Sequence, residues 1–129
     1  IKKHCQAFVD GHSIRTAAAL LDRKDVAVLV SNSGTTEEIL DALELVQKNG
    51  ARSIAITRYS RSELARGVDV VLHISTPELT FRSGAMGSRI AMLNVVDILF
   101  SAVASMQYDS VRDYLDRTRD ALTIYNRIT

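Results

Sequence analysis

The sequence lacks strong charge of either sign. Its 129 residues include 16 basic and 15 acidic side chains, so the net charge is +1, and no run of Lys or Arg is longer than the two residues of Lys2-Lys3. A chain that binds nucleic acid by itself is expected to carry a basic patch that neutralises phosphates. Direct binding of DNA by these residues is therefore not expected.

Cysteine and uninterrupted apolar runs are also scarce. The one cysteine, Cys5, cannot form an intramolecular disulfide, and the N-terminal segment IKKHCQAFVD lacks the apolar core of a signal peptide. The most apolar segment, residues 90–106, is interrupted by polar side chains such as Asn94 and Asp97, which disfavours a membrane span. We expect a cytoplasmic protein. No His, Cys or carboxylate pair has metal-ligand spacing, so neither a metal nor a cofactor is expected.

With 47% hydrophobic residues, the chain can bury one core, and we predict a single domain over residues 1–129. Apolar, β-branched runs predict four strands, and helical patterns alternate with them. The predicted strands are residues 6–9, 26–30, 53–57 and 70–74, and the predicted helices are residues 16–21, 36–48 and 62–66. This order indicates an α/β fold with a parallel sheet that is covered on both faces.

Two long helices are predicted after the last strand, over residues 88–106 and 110–127. The first is apolar nearly all round, except for a polar stripe through Asn94, Asp97, Ser101 and Ser105. A helix of this kind must be covered on more than one side. We predict that the two helices form a covering layer and a homodimer interface; the alternative is a helix buried within one large domain.

The segment AVLVSNSGTTEEI joins a predicted strand to a predicted helix. Residues 31–36, which we call the hydroxyl loop, offer hydroxyl donors from Ser31, Ser33, Thr35 and Thr36. They lie where a helix start presents unpaired N–H groups, and Gly34 would let an anion approach the main chain. Since the loop has no lysine, it is not a nucleotide-binding P-loop, and neutral donors favour a small phosphorylated metabolite.

A purely structural interpretation is also open at this point. Thr35-Thr36-Glu37-Glu38 fits the T-x-x-E capping box, in which Thr35 and Glu38 only satisfy the helix end. Capping accounts for those two residues. It does not account for the four residues that precede them in the hydroxyl loop.

SNSGTTEEI resembles the S-x-S-G-x-T signature of the SIS (sugar isomerase) domain, a phosphosugar-binding α/β module. The continuation ALELVQKNGARSIAITRYSRSELARGVDVVLHI is similar to that family, and PELTFRSGAMGSRIAMLNVVDILFSAV resembles its members in RpiR-type transcriptional regulators. The resemblance implies a three-layer sandwich with strand order 2-1-3-4-5. It also implies that Ser31, Ser33 and Thr36 bind phosphate with their hydroxyls, and Asn32 and Gly34 with backbone N–H groups.

The chain departs from this family at its start. Family members usually begin with a strand that ends in a G-x-G-x-S-type loop, and RpiR-type regulators carry a helix-turn-helix domain before it; neither is found in this sequence. We expect that an inner strand between residues 6–9 and 26–30 is missing, leaving a gap or a place for another chain. DNA would be bound only through a domain outside this chain.

Other residues are candidates for contacts with a sugar or for acid–base chemistry. Glu78 follows the last predicted strand, where sugar isomerases of this fold place a carboxylate base. His12 is predicted at a strand end, where it could approach a ligand, whereas His73, within a strand, is predicted to be packed. Arg82 and Arg89 flank a Gly-rich segment and could bind an acid or a phosphate.

Two functions remain open from the sequence. One is a sensor domain that binds a sugar phosphate and thereby shifts the packing of a dimer. The other is an aldose–ketose isomerase that uses Glu78 or a histidine. Residues 81–103 supply arginine, serine, glycine and an apolar helix rather than an acid–base pair, so we predict the sensor and no enzyme.

Overall fold

The computed structural model describes residues 2–76 and 86–125. Eight elements are formed by these residues: α1 (Gly11–Ala19), β1 (Val26–Val30), α2 (Glu37–Asn49), β2 (Arg52–Arg58), α3 (Glu63–Gly67), β3 (Val70–Ile74), α4 (Met86–Met106) and α5 (Tyr108–Tyr125). They belong to two compact units, Ala7–Val95 and a second one that contains the chain from Val96 onward with the N-terminal residues. Each unit is described separately below.

The sheet of the first unit is parallel, with strand order β1-β2-β3. Val28 is opposite Ile54, and Ile54 is opposite Val70 in the next strand, so β-branched side chains meet along one face. The predicted α/β fold with a parallel sheet and two long C-terminal helices is confirmed. Three of the four predicted strands are formed, with β2 one residue longer at each end than predicted.

Helices α1 and α2 cover one face of this sheet. Ala27, Leu29 and Ala55 pack there in a buried cluster with Leu43 and Val46 of α2. Burial of such side chains contributes about 25 cal/mol for each Å² of apolar surface removed from water. The cluster is therefore the main source of stability for the elements that carry the hydroxyl loop.

Helices α1 and α2 run in the same direction. At one end, a Cβ atom on Gly11 would be 2.7 Å from Cγ of Glu38, in the first turn of α2. At the other end, Nδ2 of Asn49 donates to the carbonyl of Ala19 at 3.1 Å. Between them, Arg15 Nε donates to Asp41 at 2.7 Å. Both helices therefore begin at the carboxyl edge of the sheet, where the hydroxyl loop lies.

The amino edge of the sheet is held together by Asp69, in the turn before β3. Its carboxylate accepts hydrogen bonds from the backbone N–H of Ser53 at 2.8 Å, from the Ser53 hydroxyl at 3.0 Å and from Arg52 at 3.0 Å. The Ser53 hydroxyl in turn accepts from the Asp69 backbone N–H at 3.1 Å. Every polar group in this cluster has a partner, so the cluster is structural.

The predicted strand over residues 6–9 is wrong, because this segment has no regular secondary structure and is exposed. The predicted helix over residues 16–21 instead spans Gly11–Ala19. A strand requires a neighbour that accepts its backbone hydrogen bonds, and the segment does not pair with β1. The strand order 2-1-3-4-5 implied by the family resemblance is compatible with the observed order β1-β2-β3, because its last three strands are also adjacent. The strand-wide gap expected beside β1 remains a prediction.

Helix α4 is apolar around most of its circumference and exposes large side chains. These include Ile90, Leu93, Ile98 and Phe100, each more than half exposed. Within the described part of the chain, it is the one helix whose length and composition would allow it to cross a membrane, with a mean hydropathy of 1.6. A surface of this kind requires cover by protein or lipid.

Helix α5 is amphipathic, in contrast to α4. Val111, Tyr114, Leu115, Thr118 and Ala121 recur at helical spacing and line one cleft. The ammonium group of Lys2 lies 5.9 Å from the centre of the Tyr114 ring, within the range of a cation–π interaction. These residues lie on a single face of the helix.

Candidate functional site

The hydroxyl loop is anchored to the end of β2 by its backbone. The N–H of Ser31 donates to the carbonyl of Ile56 at 3.1 Å, and the carbonyl of Asn32 accepts from the N–H of Arg58 at 3.2 Å. The Thr57 hydroxyl also donates to the Asn32 carbonyl at 3.3 Å. These bonds extend the β1–β2 pairing beyond the strands, so the loop begins from a fixed position.

Ser31 organises the interior of the loop. It is only 6% exposed. Its hydroxyl accepts from the N–H of Gly34 at 3.1 Å and is 2.7 Å from the Thr36 hydroxyl. Ser31 thus brings together two other residues predicted to bind phosphate, Gly34 and Thr36, through hydrogen bonds to its hydroxyl.

Ser33, Thr35 and Thr36 are exposed at the rim of the loop. The Ser33 hydroxyl accepts from the N–H of Thr35 at 3.2 Å and from its hydroxyl at 3.1 Å. These bonds between neighbouring residues are accessible to solvent, so an incoming anion could replace them at little cost. The rim hydroxyls are therefore the ones that already face the solvent from which an anion would enter.

Helix α2 begins without a side-chain cap. Its N-cap residue is Thr36, which makes no capping hydrogen bond, whereas Asp10 accepts from Ser13 N–H at 2.9 Å in α1 and Ser62 accepts from Ala65 N–H at 3.3 Å in α3. The alternative interpretation of Thr35 and Glu38 as a capping box is therefore wrong. Because the helix starts one residue later than that motif requires, Ile39 occupies its third position, and the Thr35 hydroxyl bonds to Ser33 instead.

Gly34 is required by the packing of the chain itself. Its φ of +68° lies in the left-handed region, and a Cβ atom there would be 2.6 Å from Cβ of Ser62 and still closer to the Ser62 hydroxyl. In addition, the N–H of Leu64 donates to the Gly34 carbonyl at 3.1 Å. The sequence-based explanation was close approach of an anion; the structure adds close approach of Ser62.

The neighbouring turn, residues 59–62, is packed against the hydroxyl loop, a contact that sequence reasoning missed. We call it the β2–α3 turn. It lies beside the hydroxyl loop because Arg58 is bonded to Asn32 at one of its ends and Ser62 contacts Gly34 at the other. The signal was present in the sequence as two serines, Ser60 and Ser62, directly after a strand. Loops that follow neighbouring parallel strands meet at the same edge.

His12 lies in the first turn of α1 and not at a strand end. The neighbouring residue, Gly11, is next to Glu38, so the helix start that carries His12 is at the same edge as the hydroxyl loop. His73 lies in β3 as predicted, but its side chain is exposed rather than packed, and its ring makes an edge contact with the exposed Tyr59 at a centroid distance of 4.9 Å.

The remaining candidate residues lie close to residues 77–85 or within them, which is outside the described part of the chain. Arg89 is exposed in the first turn of α4. Glu78 and Arg82 lie outside the described residues, so their predicted roles remain predictions. Within residues 2–76 and 86–125, no cluster of His, Cys or carboxylate side chains could hold a metal ion.

The geometry defines an α/β domain in which a hydroxyl-rich loop leads into an uncapped helix at the carboxyl edge of a parallel sheet. The SIS domain model matches residues 1–102, and the chain belongs to the SIS domain family. The family resemblance inferred from SNSGTTEEI is thereby confirmed.

Similar curated proteins include HTH-type transcriptional regulators. An uncharacterised one from Caldanaerobacter subterraneus is 43% identical over 93% of this chain and 43% of its own length. RpiR of Escherichia coli K12 is 32% identical over 88% of this chain and 38% of its own length. The chain thus spans about two fifths of these relatives.

Solved structures with this fold include two complexes with sugar phosphates. The Vibrio vulnificus NanR protein complexed with ManNAc-6P has a TM-score of 0.75 and 26% identity, over 90% of this chain and 44% of that one. An E. coli CFT073 protein in complex with a second sugar phosphate has a TM-score of 0.66 and 28% identity, over 78% of this chain and 55% of that one.

Proposed function

We propose that this chain is the phosphosugar-sensing domain of a bacterial RpiR-type transcriptional regulator. The observation that carries the proposal is the start of α2, a helix of 13 residues whose N-cap Thr36 supplies no side-chain acceptor. The first N–H groups of a helix have no partner within the helix and attract anions. The N–H of Ile39 donates to the Thr36 carbonyl at 3.1 Å, so a phosphate would accept from the N–H groups of Glu37 and Glu38 before it.

The proposed phosphate site comprises Ser31, Asn32, Ser33, Gly34 and Thr36. Ser33 and Thr36 would donate hydroxyl hydrogens from the exposed rim, while Asn32 and Gly34 would donate backbone N–H groups. Binding would exchange the bond from Gly34 N–H to Ser31, now 3.1 Å long, for one to a charged oxygen. Hydrogen bonds to charged acceptors are about twice as strong as neutral ones, which favours this exchange.

The sugar part of the ligand would be bound by Glu78, Arg82 and His12. Of these, His12 has support from its helix start beside Glu38, at the same edge of the sheet. The sugar phosphates bound by the two similar structures, ManNAc-6P among them, define the class of ligand to test first. The particular sugar phosphate is left to experiment.

The proposed protein is a cytoplasmic homodimer that binds DNA through a helix-turn-helix region of the longer protein. The HTH-type names of the relatives, which are more than twice as long as this chain, support that region. The exposed apolar residues of α4 support self-association, because Ile98 and Phe100 remain 59% and 55% exposed. Sedimentation of an Ile98→Glu variant at half the wild-type mass would support this interface.

Thermal unfolding tests the proposed ligand class. ManNAc-6P, a pentose phosphate, glucose 6-phosphate and fructose 6-phosphate should be compared with the same sugars without phosphate. A ligand at 100 times its Kd stabilises the folded state by about 2.7 kcal/mol, whereas a tenfold weaker one contributes about 1.4 kcal/mol at the same concentration. We expect Ser33→Ala and Thr36→Val each to weaken binding tenfold or more. Each variant should therefore lose about half of the ligand-induced stabilisation or more. An undiminished response in both variants would contradict the proposal.

The proposed sensor does not turn over its ligand. Proton exchange in heavy water, followed on aldose and ketose phosphates, should remain at the uncatalysed rate. Exchange at the carbon next to the carbonyl that disappears in Glu78→Gln would instead identify an isomerase. This experiment separates binding from catalysis by the same domain.

A further inference from the structure

Ser60, a half-buried serine of this unit, has a buried hydroxyl that differs from the Ser53 hydroxyl in one respect. The Oγ atom of Ser60, in the β2–α3 turn, has almost no exposed surface and no hydrogen-bond partner. Ser53, which is 3% exposed, has its hydroxyl bonded to both the carboxylate and the N–H of Asp69. Buried polar atoms without partners are rare, because each one loses its hydrogen bonds to water.

The position of Ser60 is fixed by the hydrogen bonds on both sides of it. Arg58 N–H donates to the Asn32 carbonyl at 3.2 Å, and Leu64 N–H donates to the Gly34 carbonyl at 3.1 Å. Between these bonds, Ser62 lies against Gly34. The turn that contains Ser60 therefore follows residues 32–34 along the hydroxyl loop.

Two other polar groups of the turn already have partners within the fold. Ser62 caps α3 through the N–H of Ala65, and the N–H of Tyr59 donates to the Ile74 carbonyl at 3.1 Å. The Ser60 hydroxyl has no comparable role in the fold. A donor that is kept dry and unpaired beside a loop of hydroxyls is pre-organised for a charged acceptor, because it gives up no existing bond on binding.

We propose that Ser60 is a ligand-binding residue of the phosphosugar site and donates its hydroxyl hydrogen to a phosphate oxygen. This inference rests on the proposed function of the hydroxyl loop. It adds the β2–α3 turn to the site, beside the loop that the S-x-S-G-x-T signature identifies.

The test compares Ser60→Ala with Ser53→Ala, two substitutions that each remove one buried hydroxyl. Without ligand, Ser60→Ala should leave the melting temperature unchanged or raise it, since the lost atom has no partner, whereas Ser53→Ala should lower it. With the sugar phosphate that gives the largest wild-type shift, Ser60→Ala should raise the Kd about tenfold, as expected for the loss of one hydrogen bond to a charged group. Ser53→Ala should leave the Kd unchanged.

Three outcomes separate the possibilities. A lower melting temperature for Ser60→Ala, equal to that of Ser53→Ala, would mean that the hydroxyl has a structural partner such as a bridging water, and would overturn the inference. An unchanged Kd for Ser60→Ala in a protein that does bind sugar phosphates would overturn it while leaving the proposed function intact. If the wild type binds none of the sugar phosphates, the proposed function fails and this inference fails with it.

Discussion

Helices α1 and α2 begin side by side at the same edge of the sheet, yet their first turns are completed differently. In α1, the Asp10 carboxylate accepts from Ser13 N–H at 2.9 Å. In α2, the Thr36 hydroxyl turns to Ser31, 2.7 Å away, and does not cap the helix. A capped helix start is already satisfied, whereas an uncapped one has N–H groups to offer to an anion.

The comparison also shows what holds the uncapped helix in place. Gly34, two residues before Thr36, packs against Ser62 and accepts a hydrogen bond from Leu64 N–H. The loop is thus fixed by its neighbour in space rather than by a cap. A binding site can leave its own donors unsatisfied only if other contacts maintain its shape.

The largest effect on this arrangement should come from Gly34→Ala. The left-handed backbone costs an L-residue about 1–2 kcal/mol, and overpacking against Ser62 adds about 1–3 kcal/mol. We therefore expect urea unfolding to show a loss of about 2–5 kcal/mol and the response to sugar phosphates to disappear.

Gly50→Ala is the matched control for this prediction. Gly50 has a similar φ of +75°, but the nearest atom to a Cβ there is Cγ of Arg23, at 3.3 Å. The control should lose only the backbone contribution, about 1–2 kcal/mol, and keep the ligand response. Equal losses in the two variants would show that the contact with Ser62 is unimportant.

Thr36→Asp should make the start of α2 resemble that of α1. Relative to Thr36→Val, which removes the same hydroxyl, the aspartate should raise the free energy of unfolding by about 1 kcal/mol through capping. It should also abolish phosphate binding, because a carboxylate would occupy the place of the anion and repel it. Thr36→Asn supplies a neutral cap as a control. If Thr36→Asp still bound sugar phosphate as the wild type does, the phosphate would lie elsewhere.

A smaller change in the free energy of unfolding should appear when the Asp10 carboxylate, the cap of α1, is protonated. The hydrogen bond from Ser13 N–H lowers the pKa of Asp10 below its usual 3.8. Since the folded-state pKa is depressed, the cap contributes stability above about pH 4 and loses it as the pH falls through the folded-state value. Unfolding by urea between about pH 6 and pH 2.5 should show this loss.

Two variants identify the source of that acid sensitivity. The pKa of Asp69 is lowered in the same direction, chiefly by the hydrogen bond from Ser53 N–H, so wild-type sensitivity combines both groups. Asp10→Asn and Asp69→Asn should each remove part of it, and the double variant should remove more. An identical pH profile in Asp10→Asn and the wild type would mean that the α1 cap contributes nothing measurable.

Local sequence patterns predicted most of the observed strands and helices. The apolar runs at residues 26–30 and 70–74 form β1 and β3 as predicted, and the predicted α2 differs from the observed helix by one residue at each end. The apolar run at residues 6–9 failed because a strand also needs a partner for its backbone groups. Periodicity within one segment contains no information about such a partner.

The candidate site was only partly predictable for the same reason. Hydroxyls and a glycine before a helix indicated the hydroxyl loop. The contact between Gly34 and Ser62 joins residues 28 positions apart, and the burial of Ser60 depends on tertiary packing. The capping box was misassigned because the Thr35 hydroxyl bonds to Ser33, a local competition that the motif alone does not reveal.

Backbone amide shifts measured by NMR during titration with a sugar phosphate would test the central claim most directly. The start of α2 and the start of α1 provide the signal and its internal control in one spectrum. We predict the largest changes at the amides of residues 32–38 and little change at those of Ser13 and Ile14, whose acceptors are the side chain and the carbonyl of Asp10. Saturable changes that leave residues 32–38 unaffected would contradict the claim that α2 receives the phosphate.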